Sequence, residues 1–380
     1  MKKALQDYRS RVDIAVLNPH ADIVAVTTDL VNIPSVSGDE NAIAGAIFNA
    51  LSQCSWLEVH RFKNSVIART NLGKPSRVIV AGHIDTVPVA DNAQAVLIRK
   101  GEILPSDGSV VSEDVLFGIG SCDMKGGVAV AFRAAAAIEN PQFDVTYIFY
   151  ECEEIESSRN GLTLIAAEHP EWLAADIAVL LEPSNANIEA GCQGTLRASV
   201  STSGTRAHSA RSWLGENAIH NLSAILETLN SYEPAKVLID GLEYREGLNA
   251  VAISGGVAGN IIPDQALVDV NYRYAPNKSG PDAEQHIRDT FKGFIVTFTD
   301  NAPGAMPGLD RAALADLVSR VSGQVAPKFG WTDVARFSAM GVPAVNLGPG
   351  DPGLAHSRNE FVPVSQLQKC EETIFSWLRG

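Results

Sequence analysis

The sequence predicts an α/β protein: a doubly wound, mostly parallel sheet domain carrying an inserted ferredoxin-like β-α-β-β-α-β domain. Three observations lead there. Residues 1–190 alternate helical and strand-like patterns, as parallel sheets with crossover helices do. The rhythm changes after the turn AGCQG at 190–194, and the Pro/Gly-rich DNAPGAMPG at 300–308 leads back. At 380 residues the chain exceeds one ordinary core, so two domains are expected. Their bounds are 1–192 plus 305–380, and 193–304.

In chain order, helices are expected near 4–16, 20–32, 39–53 and 124–139, and strands near 57–69, 77–82, 145–151 and 177–182. In the insert, TLRASVST is a strand, ENAIHNLSAILETLNSY a helix and LNAVAISGGV a strand. ALVDVNYRY alternates apolar and polar residues as a half-buried strand does, PDAEQHIRDTFKG is a helix and FIVTFTD closes the set. Helix 309–322, strand 343–348 and helix 364–378 complete the first domain.

Composition narrows the function. The chain is 46% hydrophobic and 19% charged, which is globular and not disordered. A net charge of −14 argues against nucleic acid and anionic membrane surfaces as partners, though not against a small anionic substrate in a local basic pocket. No apolar run approaches the ~18 residues of a membrane span. MKKALQDYRSRVDIAVL reads as an amphipathic helix, not a signal peptide. Five cysteines without motif spacing suggest reduced thiols in a cytoplasmic protein. Cys122 and Cys152 flank the ligands described next and read as small buried residues.

Five sites of potential metal ligands each follow an apolar run: His83 after RVIVAG, Asp123 in GIGSCDMKGG, Glu153-Glu154 after VTYIFYEC, Glu182 after IAVLLEP and His356 after AVNLGPGDPGLA. Strand ends of an open α/β sheet converge on one crevice. Two histidines with several carboxylates there describe a hydrolytic metal site, most simply one with two ions. Each motif alone has a plainer reading. His83-x-Asp85 could be a surface turn, although Asp85 also suits the acceptor that a ligand histidine needs. Asp123 could be a helix N-cap, with Gly126 and Gly127 allowing close backbone approach. Glu153 and Glu154 could be a solvated turn. As adjacent strand residues they would point apart, one toward metal and the other toward the reacting centre as general base. Glu182 could end a strand at the surface, and His356 could be an ordinary loop histidine.

Together GHIDTVP, GSCDMKGG, ECEE, LEPS and AHSRNE resemble the di-zinc amidohydrolases that include acetylornithine deacetylase, succinyl-diaminopimelate desuccinylase, aminoacylase and glutamate-releasing carboxypeptidases. The resemblance covers nearly the whole chain. The stretch GTRAHSARSWLGENAIH and the layout are most similar to the actinobacterial type of desuccinylase.

The resemblance implies two zinc ions per subunit, with cobalt able to substitute. His83, Asp123 and Glu182 would hold one ion, and Asp123, Glu154 and His356 the other. Glu153 would be general base and acid, and Asp85 would support His83. The insert would be a lid and dimerisation domain, so the expected partner is a second copy of the chain in a homodimer, with His208 completing the partner's active site. Asn260, Arg273 and Gly348 would lie along the substrate. The implied reaction is hydrolysis of an N-acyl amino acid, N-succinyl-LL-2,6-diaminopimelate above all. Acetylornithine or a dipeptide is the alternative substrate, and a non-catalytic amino-acid-binding protein the alternative class. Two positions depart from the family: Cys152 stands where many members carry Asp, and Cys192-Gln193 where some desuccinylases carry an Arg pair. A succinyl carboxylate would then fall to Arg206, Arg211 or Arg273.

Overall fold

The computed structural model describes residues 16–321 and 325–380. The helix expected over 4–16 lies outside the described residues, apart from Val16. The chain divides into two compact units, Met1–Glu189 with Gly308–Ala326 and Arg336–Gly380, and Ala190–Pro307 with Pro327–Ala335.

The first unit is built on an eight-stranded sheet ordered 58–62, 65–69, 144–150, 77–83, 177–183, 344–348, 188–190, 325–327. Arg77–His83 runs parallel to both Asp144–Tyr150 and Ile177–Pro183, and Ala344–Gly348 runs parallel to Ile177–Pro183. Three of these four strands are buried along their whole length, and only Arg77 of the other is not. Such near-continuous apolar runs suit a sheet covered on both faces. The sheet is mixed, because Glu58–Phe62 and Ser65–Arg69 form an antiparallel hairpin at one edge. One strand was expected over 57–69. Lys63, at φ +53°, turns the chain there instead, a reversal with no Gly or Pro to announce it.

The helices observed are Ile23–Val31, Asn41–Leu51, Gly126–Ala137, Ala312–Arg320 and Val364–Arg379, at or near their expected places. Asp22 caps the first by accepting the Ala25 N–H at 3.0 Å. Val364–Arg379 buries Leu367, Cys370, Ile374, Trp377 and Leu378, the one-sided stripe of a helix laid on a core. Gly127 lets its helix touch the sheet: a Cβ there would stand 2.1 Å from the Leu181 carbonyl oxygen. Elements not expected include the helix Gly161–Glu168, the short helix Val334–Ala339, the strands Ile188–Ala190 and Val325–Pro327, and a three-stranded sheet of Val96–Ile98, Val115–Phe117 and Phe361–Pro363.

The second unit has the expected β-α-β-β-α-β order: Gly194–Ser203, Ala218–Asn230, Gly247–Gly255, Gln265–Tyr274, Gly280–Thr290 and Ile295–Ala302. Its four strands form one antiparallel sheet, ordered 247–255, 265–274, 194–203, 295–302. Alternate residues Leu196, Ala198, Val200 and Val268, Val270, Tyr272 face a core completed by Leu222 and Ile225 of one helix and Ile287 of the other. Fully burying such an aliphatic side chain contributes about 1.5–3 kcal/mol. Two short pairings, Lys236–Ile239 with Leu242–Arg245 and Ala207–His208 with Ile261–Ile262, were not expected.

Candidate metal centre

Parallel pairing places the ends of the central strands on one side. His83 pairs with Tyr150 in register, so Glu153 and Glu154 emerge just beyond His83. The register Ala81↔Leu180, continued by two residues, brings Glu182 level with His83.

Asp123 arrives by another route. It lies in a π-type turn, Ser121–Lys125, that follows the strand Val115–Phe117 of the small separate sheet. It therefore does not sit at an end of the main sheet, as expected from its preceding apolar run. Nor is it a helix N-cap, since that position belongs to Lys125, without any side-chain cap. The Asp123–Met124 peptide is cis. His356 stands eight residues beyond its strand, at φ +62°.

These side chains meet. His83 Nε2 lies 3.0 Å from Asp123 Oδ1, and His356 Nε2 lies 3.5 Å from Asp123 Oδ2 and 2.8 Å from Glu154 Oε1. The two oxygens of Asp123 thus face two different imidazoles. One ligand atom each from His83, Asp123 and Glu154 falls within 4.8 Å of the others. Glu182 is buried at its strand end and acts electrostatically on His83.

The electrostatics follow from this packing. Burial alone would lower the basicity of His83, but hydrogen bonds to Asp123 and Asp85 raise its pKa well above the usual imidazole range. Hydrogen bonds to Asp123 and Glu154 likewise raise His356 to about 10. Burial should raise Asp123, yet the two histidines hold it well below the ordinary carboxylate range. Carboxylates around imidazoles that retain their protons are a donor set that fits a divalent cation, which would replace those protons. His83 Nδ1 lies 3.1 Å from the Asp85 carbonyl oxygen, the kind of outer contact that orients a ligand histidine.

Asp85 does more than support His83. Its carboxylate accepts the Glu153 N–H at 3.0 Å, the Glu154 N–H at 3.1 Å and the Ser37 hydroxyl at 2.7 Å, and lies 3.4 Å from His83 Nδ1. Hydrogen bonds to a charged group are worth about 1.5–3 kcal/mol each. Glu153 and Glu154 were expected to diverge by strand alternation, but the strand ends at Tyr150 and Cys152 turns the chain at φ +58°. Asp85 fixes that turn and, with it, the Glu pair.

Sequence reasoning gave no role to two buried neighbours. Glu360 Oε1 accepts the N–H groups of Cys122 and Asp123, each at 3.0 Å, and burial raises its carboxyl to about 8. Lys125 donates to the Ile33 carbonyl at 2.8 Å, and burial lowers its ammonium to about 7. Glu360 belongs to the AHSRNE run, but nothing in its spacing marks an acceptor for a turn 238 residues upstream. Cys122 and Cys152 are buried free thiols, as expected.

Gly348 is needed for close packing: a Cβ there would stand 2.1 Å from the Leu181 carbonyl oxygen. Its N–H donates to Ser184 Oγ at 3.0 Å, and its carbonyl accepts the Ser184 and Ala186 N–H groups. The other expected site residues belong to the second unit. His208 and Asn260 are exposed, and the Asn260 carbonyl accepts the Ser209 N–H at 2.9 Å. His208 Nδ1 accepts the Ala210 N–H at 3.0 Å. Arg206 is paired with Asp264 through Nε at 3.0 Å and Nη2 at 2.8 Å. Arg211 is exposed and Arg273 partly buried.

Over residues 79–379 the chain matches the model of peptidase family M20/M25/M40, and it belongs to that family of metal-dependent hydrolases. It is 50% identical over 367 residues to a putative succinyl-diaminopimelate desuccinylase, DapE, of Mycobacterium tuberculosis strain H37Rv, covering 96% of this chain and 100% of the relative. It is 48% identical over 357 residues to succinyl-diaminopimelate desuccinylase of Corynebacterium glutamicum, covering 91% of this chain and 93% of that one. The fold is shared with the crystal structure of aminopeptidase PepT from Bacillus cereus, at TM-score 0.74 and 18% identity over 96% of this chain and 98% of that one. Among the described residues, no helix is long and apolar enough to cross a membrane.

Proposed function

We propose that the chain hydrolyses N-succinyl-LL-2,6-diaminopimelate to succinate and LL-2,6-diaminopimelate, a step toward lysine and cell-wall precursors. The observation that carries this reading is half-identity along nearly the whole chain to desuccinylases, joined to a donor set that fits metal. His83, Asp123 and Glu182 would hold one zinc ion, and Asp123, Glu154 and His356 a second. The facing of Asp123 Oδ1 and Oδ2 toward separate histidines supports a bridging role. Bound metal supplies Lewis acidity toward the amide carbonyl and water.

Glu153, on a turn anchored by Asp85, removes the proton from the attacking water and returns it to the departing amine. His208 donates to the developing oxyanion. With Nδ1 accepting the Ala210 N–H, its neutral ring carries its proton on Nε2 and can donate from there. Asn260 and Arg273 would bind the substrate, with Gly348 beside it. For the succinyl carboxylate, Arg206 is already engaged by Asp264 and Arg211 is exposed, so the partly buried Arg273 is favoured. That guanidinium has no ion-pair partner among the described residues, and burial and Arg197 both press on its charge.

Turnover of the zinc-loaded protein on succinyl-diaminopimelate should exceed that on acetylornithine or simple dipeptides by orders of magnitude, since a site built for a polar group rejects analogues lacking it. Preference for acetylornithine would replace this assignment. We also propose a homodimer in which the 193–304 insert is lid and interface and His208 serves the partner's site. Co-expressing Glu153→Ala with His208→Ala should then restore about a quarter of the sites through mixed dimers. No recovery despite demonstrated subunit exchange rules this out.

A further inference from the structure

We propose that Glu360 is a positioning residue for the metal centre: it aims Asp123 by capturing the backbone of the turn that carries it. The proposal rests on the reading of Asp123 as a metal ligand. Glu360 is 1% exposed, and its carboxylate faces the Ser121–Lys125 turn. A single oxygen, Oε1, accepts both the Cys122 and Asp123 N–H groups at 3.0 Å. The Glu360 carbonyl accepts the Gly118 N–H at 3.1 Å, so one residue holds the chain both before the turn and at its middle.

The position of Glu360 is itself fixed. It immediately precedes Phe361–Pro363, whose register pairs Phe361 with Phe117. Four residues upstream, His356 faces Asp123 Oδ2. The segment 356–360 thus meets Asp123 twice, at its carboxylate through His356 and at its amide through Glu360. Other bonds hold the edges of the turn, from the Ser121 N–H to the Gly118 carbonyl at 3.0 Å, from the Lys125 N–H to the Gly120 carbonyl at 2.7 Å and from Lys125 Nζ to the Ile33 carbonyl at 2.8 Å, while Glu360 receives the amides at its middle. Asp123 and Met124 lie outside helical φ/ψ, and the following helix begins without a side-chain cap. Removing the acceptor would leave the buried Cys122 N–H and the part-buried Asp123 N–H without this partner and free the turn to reorient.

The test uses the full-length protein with two variants of near-equal size. Glu360→Met removes the acceptor, and Glu360→Gln keeps a carbonyl oxygen at the same reach. Metal affinity is read by equilibrium titration with Zn²⁺ and Co²⁺ in the absence of substrate, alongside kcat, KM and the thermal midpoint of the metal-free protein. Loss of a group that orients a metal ligand typically costs about 10–100-fold in affinity or activity. Glu360→Met should show that loss in metal affinity and kcat with KM little changed, and Glu360→Gln should recover most of it. Wild-type metal affinity in Glu360→Met overturns the proposal. So does a Glu360→Gln variant that folds but binds metal as poorly as Glu360→Met, which would assign the effect to charge. If Glu360→Met fails to fold, Glu360→Gln decides alone: near-wild-type affinity supports amide capture and a large loss refutes it. If the wild-type protein binds no metal, the reading of the centre has failed and the proposal falls with it, an outcome distinct from a wild type that binds metal and a Glu360→Met variant that binds it equally well.

Discussion

Two clusters in the first unit each bring three potential donor atoms within 4.8 Å: His83, Asp123 and Glu154, and Glu40, Glu151 and Cys152. Both draw on the same turn after Asp144–Tyr150, yet they are chemically unlike. In the second cluster the oxygens are spent locally. Glu40 Oε1 accepts the Gly38 N–H at 2.7 Å and the Cys152 thiol at 3.3 Å, and Glu151 Oε1 accepts the Asn64 N–H at 3.1 Å. Burial, reinforced by Glu40, raises Glu151 and pushes the Cys152 thiol to about 12, so both favour holding protons. In the first cluster, imidazoles face carboxylates, and what balances the negative charge is a proton that a cation can displace. Counting donors does not identify a metal centre. What matters is whether their bonding capacity is already used by the protein.

The largest expected effect separates the two clusters outright. If Asp123 bridges two ions as proposed, Asp123→Ala should lose both and essentially all turnover, because a ligand is removed from each. Elemental analysis after dialysis reads the result, and two tightly held ions in that variant would disprove the bridge.

Next in size is Glu153→Gln, which keeps the shape but not the proton shuttle. It should retain metal and lose roughly two to four orders of magnitude in kcat, the range for a general base. Lost metal with a modest loss of rate would make Glu153 a ligand and pass the base role to Glu154.

The smallest effect concerns the second cluster. Glu151→Gln should leave metal content and kcat unchanged, since the amide oxygen can still accept the Asn64 N–H. Its signature is in stability. A carboxyl whose folded pKa is raised contributes stability below its unfolded pKa and loses it as pH rises through the folded value. The thermal midpoint of wild type relative to Glu151→Gln should therefore fall as pH climbs above the ordinary glutamate range. Metal loss in Glu151→Gln would mean that the clusters are coupled and the contrast between them false.

What the sequence determined by itself was the set of buried parallel strands, the β-α-β-β-α-β insert and the donors gathered near strand ends. Each follows from local pattern: continuous apolar runs, period-two alternation and acidic or histidine residues just past them. His83 and Glu154 stand just past the strands that pattern marked, whereas Asp123 and His356 reach them from a turn and a loop. Only the tertiary structure decided how those donors are aimed. The Asp123 turn is held by Glu360 and the Glu153-Glu154 turn by Asp85, across 237 and 68 residues of chain. Hydrogen bonds between backbone amides and distant carboxylates leave no periodicity and no composition bias. A one-dimensional reading finds the ligands, and the folded chain alone shows what points them.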